Sequence, residues 1–380
     1  MFKFNEEKLK KYMDSLGDKY IPGRDVKVCQ NHKEIFRYGS GYSDFDKKKP
    51  VSENDVYLLY STSKLITCTG ALRLIEAGKL ELSDPVYKFI PSFKDITVKE
   101  NVNIRPAKTV MTIRDLFTMC GGLSYDKINN PYLEKISKND DASETEVVSQ
   151  LAKMPLDFDP GASFQYSFCH DVLGAVIEVV SGKSLNDYLT DEIFKPLEMS
   201  NTGFHLSEKM SENRVAYYSF DNENKTLSKG SDGSYFKLNK KYESGGAGIY
   251  TTVDDYSKFA DALACKGTGF NGYRLLRPKT VKAFGTNQLN ANQLKAFEEK
   301  TGHLGHGYGL GVSVLMDKKP RHFNCPVGTF GWGGAAGTRV FIVPEYNLSV
   351  FYAQEVEGPA CSPVYEEHQH NVIINIIFEG

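Results

Sequence analysis

From Leu65 onward the apolar residues return at Leu65, Cys68, Leu72 and Ile75, a spacing that lays one stripe along a helix. This predicts a helix ending near Gly78, with Ser61 and Lys64 in its first turn. Ahead of it an amphipathic helix is expected over residues 5–16. Alternating Val26 and Val28, then Ile35 and Phe36, flank the polar turn Asn31-His32-Lys33, which reads as a β-hairpin. Four later helix starts follow from one mechanism, a hydroxyl followed three residues on by a carboxylate that caps free amides: Thr112 with Asp115, Ser143 with Glu146, Ser184 with Asp187, and Thr252 with Asp255. A fifth helix is expected over 171–180, stopping before Gly182. Residues 207–241 are polar and rich in Asn and Gly, and read as surface loops with weak strands. Segments 338–343 and 348–353 flank Pro344-Glu345-Tyr346-Asn347 as a hairpin, and 364–378 closes the chain as a helix.

Strands at both ends with helices between them predict an α/β (α+β) fold in one domain. Its antiparallel sheet is built from residues 1–78 and 243–380, and residues 79–242 form a mostly helical insertion.

Composition narrows the function. The 380 residues are 41% hydrophobic and 25% charged with a formal net charge of -2, so no global basic field draws nucleic acid. No apolar run reaches membrane-span length, and the first twenty residues carry Lys3, Glu6, Glu7, Lys8, Lys10 and Lys11 rather than a signal peptide's apolar core; a cytoplasmic protein without membrane partners is expected. Seven scattered cysteines without a C-x-x-C pair read as reduced thiols, and His368-Gln369-His370 lacks a third clustered ligand, so no metal is expected. Gly331-Trp332-Gly333-Gly334-Ala335-Ala336 matches a loose dinucleotide fingerprint, but a strand follows where a helix is required, so no cofactor is expected. The G-x-S-x-G nucleophile elbow is missing.

Ser61 and Lys64 then carry the chemistry. Positions three apart on a helix are neighbours, so hydroxyl and ammonium can meet. A serine needs something to take its proton, and the N–H groups of a helix start suit the oxyanion formed when a carbonyl is attacked. The same S-x-x-K spacing occurs at Ser124–Lys127 and Ser234–Lys237. Only Ser61 heads a strong apolar helix, whereas an N-cap serine beside a solvated lysine is the competing reading of the motif.

Several stretches together resemble the serine β-lactamase family in its broad sense: class C β-lactamases, D-Ala-D-Ala peptidases and esterases of the same fold. Ser61-Thr62-Ser63-Lys64 resembles the first motif. Thr112-Ile113-Arg114-Asp115-Leu116-Phe117 with Gly121-Gly122-Leu123 resembles a following segment, with Met119 where histidine is usual. Asp159-Pro160-Gly161 to Tyr166-Ser167 resembles the approach to the second motif, Glu243 to Gly248 a later segment, and Trp332-Gly333-Gly334 stands in place of the third motif. The resemblance implies a β-lactamase-like fold with Tyr166 as general acid and base beside Lys64. It also implies an oxyanion hole from the N–H groups of Ser61 and Ala335, and substrate contacts at Phe168, Trp332, Gly333 and Gly334. The tripeptide Tyr166-Ser167-Phe168 recurs at Tyr218-Ser219-Phe220, but only the first copy follows a Pro-Gly turn and precedes a helix. Phe168 replaces the amide of Y-x-N, and Trp332 replaces the lysine of K-T-G, as in the esterase branch. The expectation is a carboxylesterase acting on a small neutral acyl substrate through a covalent acyl-enzyme. The alternatives are a β-lactamase or D-stereospecific peptidase, an acyltransferase, and a non-catalytic scaffolding member.

Overall fold

The computed structural model describes residues 2–16, 21–221, 223–230, 237–358 and 367–379. Its main sheet has eight strands: β1 Gly23–Gln30, β2 Lys33–Asp44, β3 Lys49–Pro50, β4 His306–Tyr308, β5 Ser313–Leu315, β6 Phe330–Gly333, β7 Arg339–Val343 and β8 Leu348–Gln354. Their order is β4-β5-β6-β7-β8-β1-β2-β3, antiparallel throughout. The two ends of the chain meet in the middle of the sheet, where β1 pairs β8 from Arg24↔Gln354 to Gln30↔Leu348. The antiparallel sheet expected from both termini is therefore present.

Alternation along β8 explains its apolar run. Successive side chains of a strand point to opposite faces, and both faces are covered here. Val350 and Tyr352 face a cluster with Leu9 and Met13 of helix α1 (Glu6–Ser15) and the isoleucines of the C-terminal helix Glu367–Ile377. Phe351 and Ala353 face the larger core, where Tyr256 stacks on Phe351 with ring centroids 4.2 Å apart.

Helix α2 (Ser63–Glu76) is preceded by a 3₁₀ turn, Tyr60–Thr62, so Ser61 sits just ahead of the α-helix rather than inside its first turn. The apolar stripe understates its environment. Eleven of its residues are buried, polar Ser63, Lys64, Thr67 and Thr69 among them. It packs against α3 (Cys169–Ser181), whose C-cap is Gly182 at φ 71. Each fully buried Leu or Ile at this contact contributes roughly 1.5–3 kcal/mol by leaving water.

All four predicted helix starts exist. Thr112 and Ser143 make complete reciprocal boxes with Asp115 and Glu146. Ser184 and Thr252 accept from the Asp187 and Asp255 amides, but the Asp255 carboxylate instead accepts from the Asn201 amide and Lys258. A box the hydroxyl–carboxylate rule missed, Asn290 with Gln293, opens Ala291–Thr301 with an amide pair.

The insertion also contains strands, a hairpin of Thr97–Glu100 with Asn103–Pro106 and Tyr218–Asp221 paired with Thr226–Lys229. Ser234 lies outside the described residues. Among the described residues no helix is long and apolar enough to cross a membrane.

Candidate active site

The chain reaches Ser61 under constraint from several directions. Val56–Leu58 pairs antiparallel with Tyr250–Thr252, Leu59 N–H donates to Ile249 O at 2.9 Å, and Leu58 N–H donates to Glu355 Oε2 at 3.1 Å. Tyr60 then turns to φ 46, a region uncommon for a bulky residue and costing about 1–3 kcal/mol where packing holds it. Tyr60 is 1% exposed, so the side chain that makes the turn costly is also the one that anchors it. This bend delivers Ser61 to the mouth of α2.

Lys64 Nζ donates to Ser61 Oγ at 3.2 Å, Tyr125 OH at 3.1 Å and Gly246 O at 2.7 Å. An ammonium has three hydrogens, and each has an acceptor here. Its aliphatic stem is buried, and Nζ lies 4.7 Å from the centroid of the Tyr166 ring. These contacts hold Nζ in place beside Ser61.

Tyr125 is the residue that sequence reasoning missed. It stands immediately after Ser124, whose Oγ caps the Asp126 amide at 3.1 Å. The usable signal was the Gly121-Gly122-Leu123 segment, which delivers Tyr125 two residues later. Burial, and then the nearby Asp171 carboxyl, push the Tyr125 phenol well above its ordinary range, so it stays protonated beside Lys64. Its ring meets Tyr166 at 5.7 Å and Phe168 at 4.6 Å, both edge to face.

Tyr166 is more open, and its hydroxyl accepts a hydrogen bond from Trp332 Nε1 at 2.9 Å. An indole N–H only donates, so the Tyr166 oxygen is the acceptor in this contact. The second Tyr-Ser-Phe copy lies elsewhere: Tyr218 OH accepts from the Phe45 amide at 2.9 Å.

Two of the expected substrate-contact residues are buried. Phe168 is 1% exposed; it lies behind Tyr125 and shapes the site through that ring. Trp332 is 7% exposed, packed by His303 at 5.2 Å and Tyr308 at 5.4 Å, so it tethers Tyr166 as well as forming a wall. Burial and the nearby arginines keep His303 neutral, well below the usual imidazole range. Of the two arginines that act on His303, Arg321 donates to Gly302 O at 2.7 Å. Arg339 is cross-strand from Gly333.

The β6–β7 turn carrying Gly333, Gly334 and Ala335 is clamped to the 3₁₀ turn. Thr338 Oγ1 donates to Leu59 O at 2.9 Å and therefore accepts from Thr62 Oγ1 at 2.6 Å. A Cβ on Gly334 would lie 2.2 Å from Leu59 O, so only glycine permits this approach. The contact brings the Ala335 segment beside Ser61. On the opposite side, Gly245 and Gly246 close against α2 and α3; Thr67 Oγ1 donates to Gly245 O at 2.7 Å, and a Cβ on Gly246 would meet Asp171 Oδ2 at 2.6 Å. Asp171 Oδ1 is held by Ser244 Oγ at 2.6 Å and Tyr242 OH at 3.0 Å. Burial pushes this carboxyl up, while Lys64 and the two hydroxyls pull it back.

The Beta-lactamase family model matches residues 6–369. The chain is 27% identical to esterase EstB of Burkholderia gladioli over 357 residues, 88% of this chain and 86% of that protein. It is 26% identical to acyltransferase calJ of Penicillium decumbens over 369 residues, 90% and 86% of the two. Among solved structures it is similar in fold to EstCE1, a hydrolase with promiscuous acyltransferase activity, at TM-score 0.82 and 24% identity, covering 98% of this chain and 99% of that one. With a serine and lysine in contact at the mouth of its central helix and a family model spanning nearly its whole length, the chain belongs to the Beta-lactamase family.

Proposed function

We propose that the protein is a serine carboxylesterase for small neutral esters, acting through an acyl-enzyme. The observation that carries the reading is Lys64, whose ammonium touches Ser61 Oγ and lies over the Tyr166 ring while Trp332 occupies the third motif. Ser61 Oγ attacks the ester carbonyl carbon, and its proton passes to Tyr166, the general base, whose oxygen accepts from Trp332 Nε1 and whose ring lies against Lys64 Nζ. The N–H groups of Ser61 and Ala335 receive the developing oxyanion. The tetrahedral intermediate collapses by breaking the bond to the alcohol oxygen, which takes the proton back from Tyr166. Water then repeats the sequence on the acyl-enzyme, releasing the carboxylic acid and restoring Ser61.

Trp332 decides between ester and β-lactam. A β-lactam carboxylate would lose a charge-assisted partner worth roughly 1.5–3 kcal/mol, so the specificity constant should favour a short neutral ester by about tenfold or more. The test is the ratio for p-nitrophenyl butyrate and a chromogenic cephalosporin. Cephalosporin turnover equal to or above that of the ester overturns the assignment.

Similarity to calJ supports acyl transfer as a second reading. Adding a competing alcohol to the ester assay separates the two: a new ester product at the expense of acid marks the acyl-enzyme as a donor to alcohols.

A further inference from the structure

Beyond the catalytic centre, the tip of the β1–β2 hairpin meets the far end of helix α4 (Val253–Ala264). Asn31 and His32 both have positive φ, 50 and 65. That turn aims the His32 backbone N–H at Asp261 Oδ1 (3.2 Å) and ring Nδ1 at Asp261 Oδ2 (2.6 Å). Cys265, the C-cap of α4, places Sγ 3.8 Å from Asp261 Oδ1. One ligand atom from each of His32, Asp261 and Cys265 lies within 4.8 Å of the others.

We propose that His32, Asp261 and Cys265 form a site for a borderline-soft divalent cation of the zinc type, with its fourth position open to solvent. An imidazole nitrogen, a carboxylate oxygen and a thiolate sulfur are the donor set zinc takes, at roughly 2.0–2.3 Å. A cavity of about 390 Å³, lined in part by Cys29, Glu34 and Phe270, adjoins His32 and Asp261 and leaves room for a fourth ligand.

Two features separate this cluster from an ordinary surface ion pair. The neighbouring cations are held by other acids: Lys27 by Glu34 and Asp254, Arg37 by Asp25 and Asp254, Lys258 by Asp255. Among the described residues the ion-pair partner of Asp261, whose side chain is 5% exposed, is His32. The cluster also sits at the C-terminal end of α4, where the helix dipole favours a cation. The Cys265 thiol gives up its proton on binding, and His32 offers its Nδ1 lone pair to the ion. The Nδ1–Oδ2 contact opens to accommodate the ion, which the 32% exposed His32 side chain permits.

Residues 32 and 261 are 229 apart in sequence, so no local ligand spacing announces the site, and the proposal departs from the sequence-based expectation of no metal. The ion would staple the hairpin tip to α4. The other end of that helix approaches the nucleophile turn, where Tyr256 OH donates to Thr62 O at 3.1 Å. Ester turnover should therefore not depend on the metal.

The test uses the full chain, stripped with a chelator and titrated with zinc by calorimetry and with Co²⁺ by absorbance. Expected are one equivalent bound, a thiolate-to-cobalt charge-transfer band, a higher Tm with zinc, and unchanged p-nitrophenyl butyrate turnover. Cys265→Ser should abolish the band, and His32→Ala should weaken affinity by about tenfold or more. Absence of binding, a cobalt spectrum without the thiolate band, or full retention of the ion by Cys265→Ser overturns the proposal. The circular dichroism of each variant establishes that it is folded, and His32→Ala, on an exposed turn, decides alone if Cys265→Ser is not.

Discussion

Tyr125 and Tyr166 stand edge to face with ring centroids 5.7 Å apart, and only Tyr125 presents its hydroxyl to the Lys64 ammonium. The two phenols therefore divide the work. Tyr125, kept protonated by burial, fixes the lysine, whereas Tyr166 accepts from Trp332 and, on the proposed mechanism, carries the proton. Tyr166→Phe is expected to lower kcat by about 100-fold or more, the scale of a lost acid–base group. Tyr125→Phe, which leaves one lysine hydrogen unmatched, should lower it by about tenfold. Steady-state kinetics on p-nitrophenyl butyrate checks both, and a larger loss in Tyr125→Phe would transfer the proton-carrying role to that residue.

Trp332→Phe keeps an aromatic wall but deletes the N–H that donates to Tyr166 OH. The expected result is a fall in kcat of about tenfold, equivalent to roughly 1–1.5 kcal/mol of lost hydrogen bonding, with KM for a short ester little changed. A rise in KM at constant kcat would instead make Trp332 a substrate wall only.

Neighbouring glycines should respond very differently to one methyl group. In Gly334→Ala the new Cβ would lie 2.2 Å from Leu59 O, whereas in Gly333→Ala its nearest neighbours are at 3.4 Å. Gly334→Ala must force the Ala335 segment away from Ser61, and a displacement on this scale can cost about 100-fold in rate. Gly333→Ala should remain within about threefold of wild type, on the same scale of positioning effects. Equal activity in the two proteins would show that the turn does not need its close approach.

His170 gives a pH signature. It is fully buried, donates to Phe117 O at 3.2 Å, and burial lowers its pKa to about 3. The unfolded chain binds a proton at this residue near pH 6.5, the folded chain only near 3. Stability from the neutral imidazole is thus complete above about 6.5 and lost as pH falls toward 3. In the His170→Gln protein this titration is gone. The stability of wild type relative to that variant should drop by roughly 1.4 kcal/mol per pH unit between about pH 6 and 4. Urea unfolding of both proteins at several pH values measures the difference, and a pH-independent gap would mean that His170 charges inside the fold.

Local signals in the chain carried much of this picture. The hairpin around Asn31-His32, the serine–lysine pair and the helix-starting boxes at Thr112 and Ser143 each depend on residues only a few positions apart, so spacing alone reveals them. Phe168 and Tyr125 were misplaced or missed because their roles depend on which ring lies in front. That is settled by packing between segments far apart in sequence. Asn290 with Gln293 escaped because an amide pair caps a helix by the same geometry as a hydroxyl and a carboxylate. The Trp332–Tyr166 tether joins positions 166 apart, and no local pattern encodes it.

The pairing of β1 with β8 has a consequence for how the protein is made. A ribosome releases Arg24 early, but its strand partner Gln354 emerges only after 329 intervening residues have been added, at rates of about 5–20 residues per second. During that interval both edges of β1 cannot be filled by their native neighbours, although its hairpin mate β2 is already available. The nascent chain therefore carries an open strand edge of the kind that recruits foreign strands. The clamp from Thr338 onto Leu59 and Thr62 is likewise closed late, so a truncated product of translation would hold the serine–lysine pair without the β6–β7 turn against it.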